Sequence, residues 1–485
     1  MNRNGVVAVL CAFLWTSSAC STHEFGFERE GQMNGIERDG QDYTETFRQN
    51  YEVNPGGTLT VDAELGAIHI KSSILNEVDV LVRKRYRATD AGQARKAFSN
   101  VEIDIKQVNK GVRIEVDQIR NVTYRRWFWQ DWPDRLFVDI EVTVPVEYDL
   151  DLSTISGDIR TTNTVGDVTA KTLSGNISTG PAEGNLSIKT NSGNIRTGPV
   201  VGKVHTVTLS GYNEIGPVNG EVKVRSNSGN IKTGSVEGNV QGKSLSGNIV
   251  IGPVHGDVTV STNSGSIESS FVDGNLKASS LSGSVKTGPV KNDVTVSTTD
   301  GDIDTGDIGG SVQSSSLSGH ISIGAVNSNV KANTTSGNIK VSNVFGVSET
   351  RSLSGDIRLG STHGGIVAST ASGDIEGDLI DTDSSVDARY QFQSLAGDIS
   401  IILPFDMPAV IDAQISIGEI IDPWLPNSWH VLRHIDSDFD LDVSKVESSP
   451  GNHTIKAVGE INGGGNDIVL VTNDGKIRIR SKDDW

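Results

Sequence analysis

Cysteine and aromatic residues are scarce in this chain of 485 residues. Its two cysteines, Cys11 and Cys20, lie in the first 20 residues, so no disulfide can form within residues 21–485. The folded part must therefore be held by backbone hydrogen bonds and by burial of apolar side chains. Between residues 153 and 372 the only aromatic residues are Tyr212, Phe271 and Phe345. An interior with so few large rings must be narrow.

Positive charge and long apolar segments are also in short supply. Asp and Glu outnumber Lys and Arg by 61 to 42, which gives a net charge of −19 and a pI near 4.9. This balance argues against nucleic acid or anionic lipid as the main partner. Residues 153–372 contain no run of 10 or more residues with the apolar spacing of a helix. The apolar run over residues 5–15 is too short to span a membrane stably.

Glycine, in contrast, is abundant and periodic. The chain has 54 glycines, and thirteen of them recur at one fixed interval, the distance from Gly157 to Gly175. Twelve of the thirteen follow Ser and one follows Asp300. A fixed short period is the signature of a stacked repeat architecture. These repeat glycines are Gly157, Gly175, Gly193, Gly211, Gly229, Gly247, Gly265, Gly283, Gly301, Gly319, Gly337, Gly355 and Gly373.

Apolar residues keep fixed places within each repeat. Ile or Val lies two residues after every repeat Gly except one, where Asn213 stands. Apolar residues at offsets 11 and 13, such as Val222 and Val224, show the period of two that is typical of a strand. We therefore predict an all-β fold: a single-stranded parallel β-solenoid (β-helix) with about 18 residues per coil and irregular β-rich caps. About 13 coils would give a rod on the order of 60 Å long.

One feature recurs only on every second repeat. The residue two places before the repeat Gly alternates between Leu and a shorter residue, as in Leu173, Asn191 and Leu209. Either the array grew by duplication of a two-coil unit, or one physical coil holds about 36 residues. We favour the shorter coil, with one repeat per turn of the solenoid.

The amino terminus has the features of a bacterial export signal. A basic start, the apolar run and the small residues Ser17, Ser18 and Ala19 predict a signal peptide over residues 1–19. The same segment resembles a lipoprotein cleavage box that would make Cys20 the acylated first residue, although Ser17 stands where Leu is usual. Ordinary cleavage after Ala19 is the alternative. With acylation, residues 20–44 would be a disordered, lipid-anchored tether at the cell envelope, in the outer membrane of a Gram-negative source.

The remaining segments are expected to close the two ends of the rod. Residues 45–152 alternate apolar and polar residues and predict an N-terminal β-rich cap or first coils, with a short helix over residues 91–98. The regular repeats occupy residues 153–403, and residues 404–485 form a C-terminal cap that ends in a hairpin or last coils. Caps are needed because the open ends of a solenoid expose unpaired strands.

Acidic and amide side chains are the first candidates for chemistry. Asp or Asn follows most of the repeat glycines, as at Asp158, Asn176 and Asp302. A calcium ladder is one interpretation, but the many neutral Asn residues favour ladders of turn-capping side chains. We expect neither a metal nor a cofactor. Polysaccharide hydrolases use carboxylate pairs, but a β-helical enzyme needs long loops to build a cleft, and twelve successive equal spacings leave no insertion. We therefore expect no enzymatic activity.

Aromatic and basic residues cluster outside the repeats and are the candidate binding residues. One cluster holds Arg125, Arg126, Trp127, Trp129 and Trp132, and a second holds Trp424 and Trp429. Trp and Arg commonly anchor contacts with partners, so a glycan or an envelope protein is one interpretation. The favoured alternative is that these side chains plug the ends of the solenoid.

Three parts of the sequence carry a family resemblance. They are residues 53–59 with 66–68, the strand ending at Pro145 with residues 156–159 and their repeats, and residues 462–465 with 473–477. Together they span roughly residues 45–480 and resemble a widespread bacterial family of unknown function usually labelled "putative adhesin". The resemblance implies a β-solenoid envelope protein with no known catalytic residues.

These observations together predict a non-enzymatic envelope lipoprotein. It would act as a scaffold or adhesin-like binding module, held at a membrane by its lipid anchor and presenting a surface to a glycan or an envelope protein. The alternative is a role in envelope-stress sensing or regulation, in which the rod binds a partner protein. A glycan-active enzyme is the third hypothesis.

Overall fold

Each repeat of the sequence forms one coil of a parallel β-solenoid in the computed structural model, which describes residues 32–118, 136–380, 388–417, 434–449 and 452–482. Ile159 pairs with Ile177, and Ile177 pairs with Ile195, so neighbouring coils are offset by one repeat. The predicted β-solenoid, with one sequence repeat per coil, is confirmed. The alternative coil of two repeats is wrong, because equivalent residues of consecutive repeats are direct ladder partners.

The regular coil has three inward-facing segments. After the repeat Gly come a three-residue strand, then a single bridging residue, then a seven-residue strand; one coil shows them as Ile231–Thr233, Val236 and Val240–Ser246. Alternate residues of both strands are buried, and the bridging residue is buried too. The short strands stack into one sheet, called sheet A, and the long strands into a second, called sheet B.

The amino-terminal strands extend this stack. They are β1 (Gln32–Asp39), β2 (Asp42–Glu52), β3 (Thr58–Leu65), β4 (Ala67–Ser73), β5 (Glu77–Arg87), β6 (Val101–Val108), β7 (Gly111–Gln118), β8 (Leu136–Pro145) and β9 (Asp149–Ser156), with helix α1 (Ala91–Phe98) between β5 and β6. β3 and β4 form a coil that pairs in parallel with β9 and β10 on one side and with β7 and β8 on the other. β1, β2 and β5 add antiparallel strands to sheet A, and β6 adds one to sheet B. The helix predicted over residues 91–98 is present, and the Asp90 side chain caps it by accepting hydrogen bonds from two backbone N–H groups.

Residues 32–44 differ from the expectation of a tether without structure. They form β1 and the start of β2, which pair with each other as a hairpin, and β2 pairs along its whole length with β5. Tyr43 packs into the core and is 6% exposed. The sequence of residues 32–44 does not predict strands because its apolar alternation is weak; pairing of β2 with β5 stabilises them instead.

The regular coils follow without interruption. Their strands are β10 (Ile159–Thr161), β11 (Val168–Ser174), β12 (Ile177–Thr179), β13 (Leu186–Ser192), β14 (Ile195–Thr197), β15 (Val204–Ser210), β16 (Asn213–Ile215), β17 (Val222–Ser228), β18 (Ile231–Thr233), β19 (Val240–Ser246), β20 (Ile249–Ile251), β21 (Val258–Ser264), β22 (Ile267–Ser269), β23 (Leu276–Ser282), β24 (Val285–Thr287), β25 (Val294–Asp300), β26 (Ile303–Thr305), β27 (Val312–Ser318), β28 (Ile321–Ile323), β29 (Val330–Ser336), β30 (Ile339–Val341), β31 (Ser348–Ser354), β32 (Ile357–Thr362), β33 (Ile366–Ser372) and β34 (Ile375–Leu379). From β10 onward the even-numbered strands of this set lie in sheet A and the odd-numbered strands in sheet B.

The carboxyl-terminal strands complete the stack out of chain order. They are β35 (Arg389–Ala396), β36 (Ile399–Pro404), β37 (Ala409–Ile417), β38 (Ile435–Ser437), β39 (Asp442–Ser449), β40 (Asn452–Ile461), β41 (Asn466–Thr472) and β42 (Ile477–Lys482). β41 and β42 form a last coil on β35 and β36, and β37 then pairs with β41 from the far side. The final segment, expected as a hairpin or last coils, is thus a coil in parallel register.

The recurrent glycine lies where consecutive coils touch most closely. At Gly265 the backbone φ is +149°, and a Cβ atom there would overlap the carbonyl oxygen of Gly247 in the coil before. Next to it, the buried hydroxyl of Ser280 donates to the carbonyl oxygen of Gly265 at 2.9 Å, and Thr262 does the same to Gly247 at 3.1 Å. The Ser or Thr three residues before a repeat Gly is therefore an interior residue whose hydroxyl is satisfied by a glycine carbonyl of the preceding repeat. Ser226 is the exception, because its buried hydroxyl has no hydrogen-bond partner among the described residues.

Candidate functional site

The residues predicted from sequence as binding or lipidation sites lie outside the described part of the chain. These are Cys20, Arg125, Arg126, Trp127, Trp129, Trp132, Trp424 and Trp429. Their described neighbours lie towards opposite ends of the stack: Gln118 ends β7 and Leu136 begins β8, whereas Ile417 ends β37 and His434 precedes β38. The roles of these residues stay predictions.

The Asp and Asn residues that follow the repeat glycines form a ladder in three runs, over residues 158–212, 230–266 and 284–398. Asp158 Oδ1 accepts a hydrogen bond from the backbone N–H of Asn176 at 2.8 Å, and Asn176 Oδ1 accepts one from Asn194 at 2.9 Å. At the second turn of the coil, Asp257 Oδ1 likewise accepts from the N–H of Asn275 at 2.8 Å. The turn-capping interpretation is confirmed, since each side chain satisfies a backbone donor of the next coil.

Charged side chains on the described surface form ladders along the coils. Glu237, His255, Asp273 and Lys291 occupy one column on four consecutive coils, and Asp273 is paired with both His255 and Lys291. The Lys291 ammonium and then the His255 ring hold the pKa of Asp273 below its usual value. Exposed ion pairs of this kind contribute little to stability. Within the described ranges, no three His, Cys, Asp or Glu side chains come together as a metal site requires.

Shallow grooves follow the turns of the rod. One of about 550 Å³ crosses the coils of Asp293, Ser311 and Asn329, and a second of about 370 Å³ is lined by Pro181, Pro199 and their neighbours. In the first groove, the Asp293 carboxylate already accepts the Ser311 N–H at 2.8 Å. Its acid group is therefore engaged in the turn ladder and is poorly placed for general acid or base chemistry.

The outward face of sheet B carries an uncompensated basic patch. The five strands β11, β13, β15, β17 and β19 contain no Asp or Glu. Burial, and then the positive charges of Lys223 and Arg225, lower the pKa of His205 on this face. None of the basic patch residues forms a salt bridge with another described residue. The basic patch comprises Lys171, Lys189, Lys223, Arg225 and Lys243, all exposed.

The amino-terminal end of the same face is acidic. Asp62, Glu64, Glu115 and Asp117 lie on β3 and β7, which pair in parallel. Burial, followed by the negative charges of Glu64 and Asp62, raises the pKa of Asp117. A chain with net charge −19 therefore presents acidic and basic regions in succession along one flat face.

A column of exposed apolar residues runs along the edge of this face. It is the position two residues before the repeat Gly, which points outward because the residue before it points into the core. Ladder pairs of the flanking residues, such as Ser156 with Ser174 and Ser372 with Ala396, keep the column in register. We call it the leucine column; its members are Ile155, Leu173, Asn191, Leu209, Asn227, Leu245, Asn263, Leu281, Thr299, Leu317, Thr335, Leu353, Ala371 and Leu395.

The eight large apolar members of the leucine column are between 44% and 58% exposed. Single exposed leucines are ordinary on protein surfaces. Here the large apolar side chains recur in one line, with a shorter residue between most of them, which makes the column a candidate interaction surface. The two-repeat alternation of the sequence thus places an exposed leucine on every second coil, a surface feature that the sequence analysis does not predict. Among the residues that the structure describes, no helix is both long and apolar enough to span a bilayer.

Comparison with known proteins places this architecture in a family. The solved structures similar to it include a "putative cell adhesion protein" from Clostridium sporogenes ATCC 15579, with 9% identity, 90% of this chain and 99% of that chain covered, and a TM-score of 0.15. They also include a "putative adhesin" from Bacteroides fragilis NCTC 9343, with 15% identity, 61% and 96% covered, and a TM-score of 0.15. No curated protein matches the sequence. The family profile described as Toastrack DUF4097 matches residues 67–305 and 309–427, most of the regular coils included, and the chain belongs to that family.

Proposed function

We propose that this chain is an exported, non-enzymatic β-solenoid of the bacterial envelope. It is tethered through an acylated Cys20, in the outer membrane of a Gram-negative host, and acts as an adhesin-like scaffold that holds a binding surface away from the membrane. The observation that carries the proposal is the repeated coil from β9 to β34, in which the position from Ile159 to Ile375 recurs without an inserted loop and the strand register shifts once, between Leu359 and Thr362. Over the described coils, a rod of this kind offers long faces with shallow grooves along its turns.

The charged groups of the rod support a passive role. Carboxylates that follow the repeat glycines accept backbone N–H groups, as Asp302 does from His320 at 2.8 Å and Asp356 does from Asp374 at 3.0 Å. Each contact engages one carboxylate oxygen in the turn of the next coil, which is a structural use of the carboxylate and supports a role in the fold rather than as one of the paired carboxylates of a hydrolase. The glycan-active enzyme is therefore the weakest of the three hypotheses.

A regulatory role through a partner protein is the second candidate. The basic patch favours it, because Lys and Arg side chains without an acidic neighbour attract an acidic surface. A glycan is the other kind of partner we propose, contacted through the aromatic clusters at Trp127, Trp129 and Trp132 and at Trp424 and Trp429. Nucleic acid is disfavoured by the net charge of −19.

Capture of envelope components by the immobilised protein tests this function. The exported chain carrying Cys20→Ser would be coupled to beads and incubated with detergent-solubilised envelope proteins and, separately, with purified envelope glycans. We expect capture that is lost in the Trp127→Ala, Trp129→Ala double variant and retained in Phe345→Ala, which removes an exposed aromatic side chain from the rod. Thermal melts separate the two roles of the tryptophans: loss of capture with an unchanged melt indicates binding, and a lowered melt indicates capping. Release of soluble sugars from the glycan would contradict the non-enzymatic proposal.

A further inference from the structure

The length and area of the leucine column are those of a surface that binds a partner. Its 14 positions are separated by 13 coil steps of roughly 4.8 Å, so it is about 60 Å long. With a width of about 10 Å, the spacing of packed β-layers, it offers about 600 Å². This footprint, which the large apolar side chains share with the shorter residues between them, is at the upper end of about 300–600 Å² for the largest patch on a typical monomer, a patch that is often functional.

We propose that the leucine column binds the leucine column of a second copy of this chain in antiparallel orientation. A partner has to present apolar groups about 9.6 Å apart, which is two coil steps, over most of the length of the rod. A second copy has this spacing, because its own leucines stand on every second coil. The spaces between leucines are occupied by Asn191, Asn227, Asn263 and shorter residues, which leave room for a leucine from the other copy.

When the second copy runs in the opposite direction, its leucine column is complementary to that of the first copy. Because the column has an even number of positions and alternates, a twofold axis between Asn263 and Leu281 places every leucine of the regular coils opposite a short residue. The opposed pairs are Leu173 with Ala371, Leu209 with Thr335, Leu245 with Thr299, Leu281 with Asn263, Leu317 with Asn227 and Leu353 with Asn191, while Ile155 meets Leu395 at each end. An isologous twofold contact of this kind closes as a dimer and does not propagate.

The parallel arrangement with equivalent coils side by side, which is the one a twofold axis along the rod produces, lacks this fit. It sets each leucine against its own equivalent and each gap against a gap, and it brings the basic patches of the two copies to the same end. Lys171 and Lys243 bound the basic patch, so in the antiparallel arrangement the patches lie at opposite ends of the dimer, away from each other. Like charges therefore oppose the parallel contact and not the antiparallel one.

The expected affinity is modest. Two columns of about 600 Å² bury about 1,200 Å² in total, which is the lower end of the range for specific interfaces. We therefore expect a dissociation constant of about 1–100 µM. Antiparallel pairing places the two amino termini at opposite ends of the dimer. Copies anchored through Cys20 would therefore pair across two membrane surfaces that face each other. This consequence rests on the proposed lipid anchor, whereas the dimer itself does not.

Sedimentation velocity measures the association directly. The exported chain carrying Cys20→Ser, which excludes lipid and disulfide contacts at that residue, would be examined from about 1 to 200 µM, the range around the expected dissociation constant. We expect a monomer–dimer equilibrium. The triple variant Leu209→Asn, Leu245→Asn, Leu281→Asn should weaken it at least about 100-fold, because six half-exposed leucines are removed from each dimer. This variant is expected to fold, since Asn is the native residue at the same position in adjacent coils.

A matched control removes exposed apolar side chains from other columns. Val165→Thr, Val201→Thr and Val347→Thr change exposed positions outside the leucine column and should leave the dissociation constant unchanged. Equal melting temperatures of the two triple variants would show that folding is not the cause of a difference. A wild-type chain that stays monomeric throughout the range overturns the proposal, as does equal weakening by both triple variants.

Cysteine cross-linking tests the orientation. Asn263→Cys lies beside the proposed twofold axis, so the two introduced thiols are about one coil step apart along the rod and should cross-link with a short bismaleimide. Asn191→Cys is offset from its equivalent in the partner by nine coil steps, about 43 Å, and should not cross-link. Efficient cross-linking of both variants indicates the parallel arrangement and overturns the proposal; cross-linking of Asn263→Cys alone supports it.

Discussion

Asn213 occupies an interior position that is Ile or Val in all the remaining regular coils. Its replacement tests whether this position is a dry part of the core. It pairs in the ladder with Ile195 on one side and Ile231 on the other, and it is 1% exposed. Neither its amide nitrogen nor its amide oxygen has a hydrogen-bond partner among the described residues. The residue therefore carries the desolvation cost of a buried amide with none of the compensation that the turn ladders provide.

We expect Asn213→Ile to stabilise the coil. Removal of the unsatisfied amide is worth about 1–3 kcal/mol, and burial of an Ile side chain about 1.5–3 kcal/mol. Some packing strain, about 1–2 kcal/mol, offsets this gain because Ile is larger than Asn. The net expectation is a rise of about 2–4 kcal/mol in the local free energy of opening.

Native-state hydrogen exchange read by mass spectrometry is the suitable assay. A stacked array need not unfold in one step, so a global melt would average over coils, whereas exchange reports the free energy of local opening. Peptides spanning residues 204–233 should exchange more slowly in Asn213→Ile, and peptides from the distant β33 should not change. The reverse substitution Ile231→Asn should accelerate exchange by a similar factor. Faster exchange in Asn213→Ile, with no change in Ile231→Asn, would refute the description of this position as a dry interior.

Three further predictions concern the backbone, the amino-terminal core and the repeat. Gly265→Ala should lower the free energy of local opening in the middle of the rod by about 2–4 kcal/mol in the same exchange assay, because its Cβ would overlap a backbone carbonyl that cannot move aside. The control Ser261→Ala, on the outer face, should be nearly neutral. Burial raises the pKa of Tyr148 to about 12, and its hydroxyl donates to Lys110 O at 3.0 Å. Because the folded-state pKa is the higher one, the neutral Tyr148 side chain contributes its full stability below pH 10, and up to about 2–3 kcal/mol is lost as the pH rises through 12. The free energy of unfolding in urea should therefore fall less steeply between pH 10 and 12 in Tyr148→Phe than in the wild type. Equal slopes of the two proteins would contradict the assignment. Deletion of residues 230–265, which is two coils, should leave a folded rod that small-angle scattering shows to be about 9.6 Å shorter. A chain that lacks residues 230–256, one and a half coils, should not fold cooperatively, because the deletion moves interior residues to the wrong segment of the coil.

The regular part of the fold could be predicted from sequence because one local solution is repeated. Each coil contacts only its neighbours, so equivalent positions such as Ile231 and Ile249 face the same surroundings and the period reveals the ladder. The turn ladder could be predicted for the same reason, since a side chain like that of Asn248 lies beside the backbone N–H of the equivalent residue in the next coil, here Ser266.

The ends of the stack could not be predicted in this way. β41 pairs with β35 although five other strands lie between them in the chain, and β37 then pairs with β41, so the order of strands depends on contacts that no period encodes. The antiparallel additions β1, β2 and β5 are likewise pairings of single, non-repeated segments. The outward direction of the leucine column was within reach of sequence reasoning, because Thr172 and Leu173 are adjacent in a strand and must face opposite sides.

The intact mass of the protein extracted from membranes of its native host tests most directly whether the rod is an anchored envelope component. A mass that corresponds to cleavage before Cys20 plus two or three acyl chains, and that is lost in Cys20→Ser, is the predicted result. An unmodified mass beginning at Cys20 or Ser21, with the protein in the soluble fraction, would contradict it and would identify a released molecule instead of a tethered scaffold.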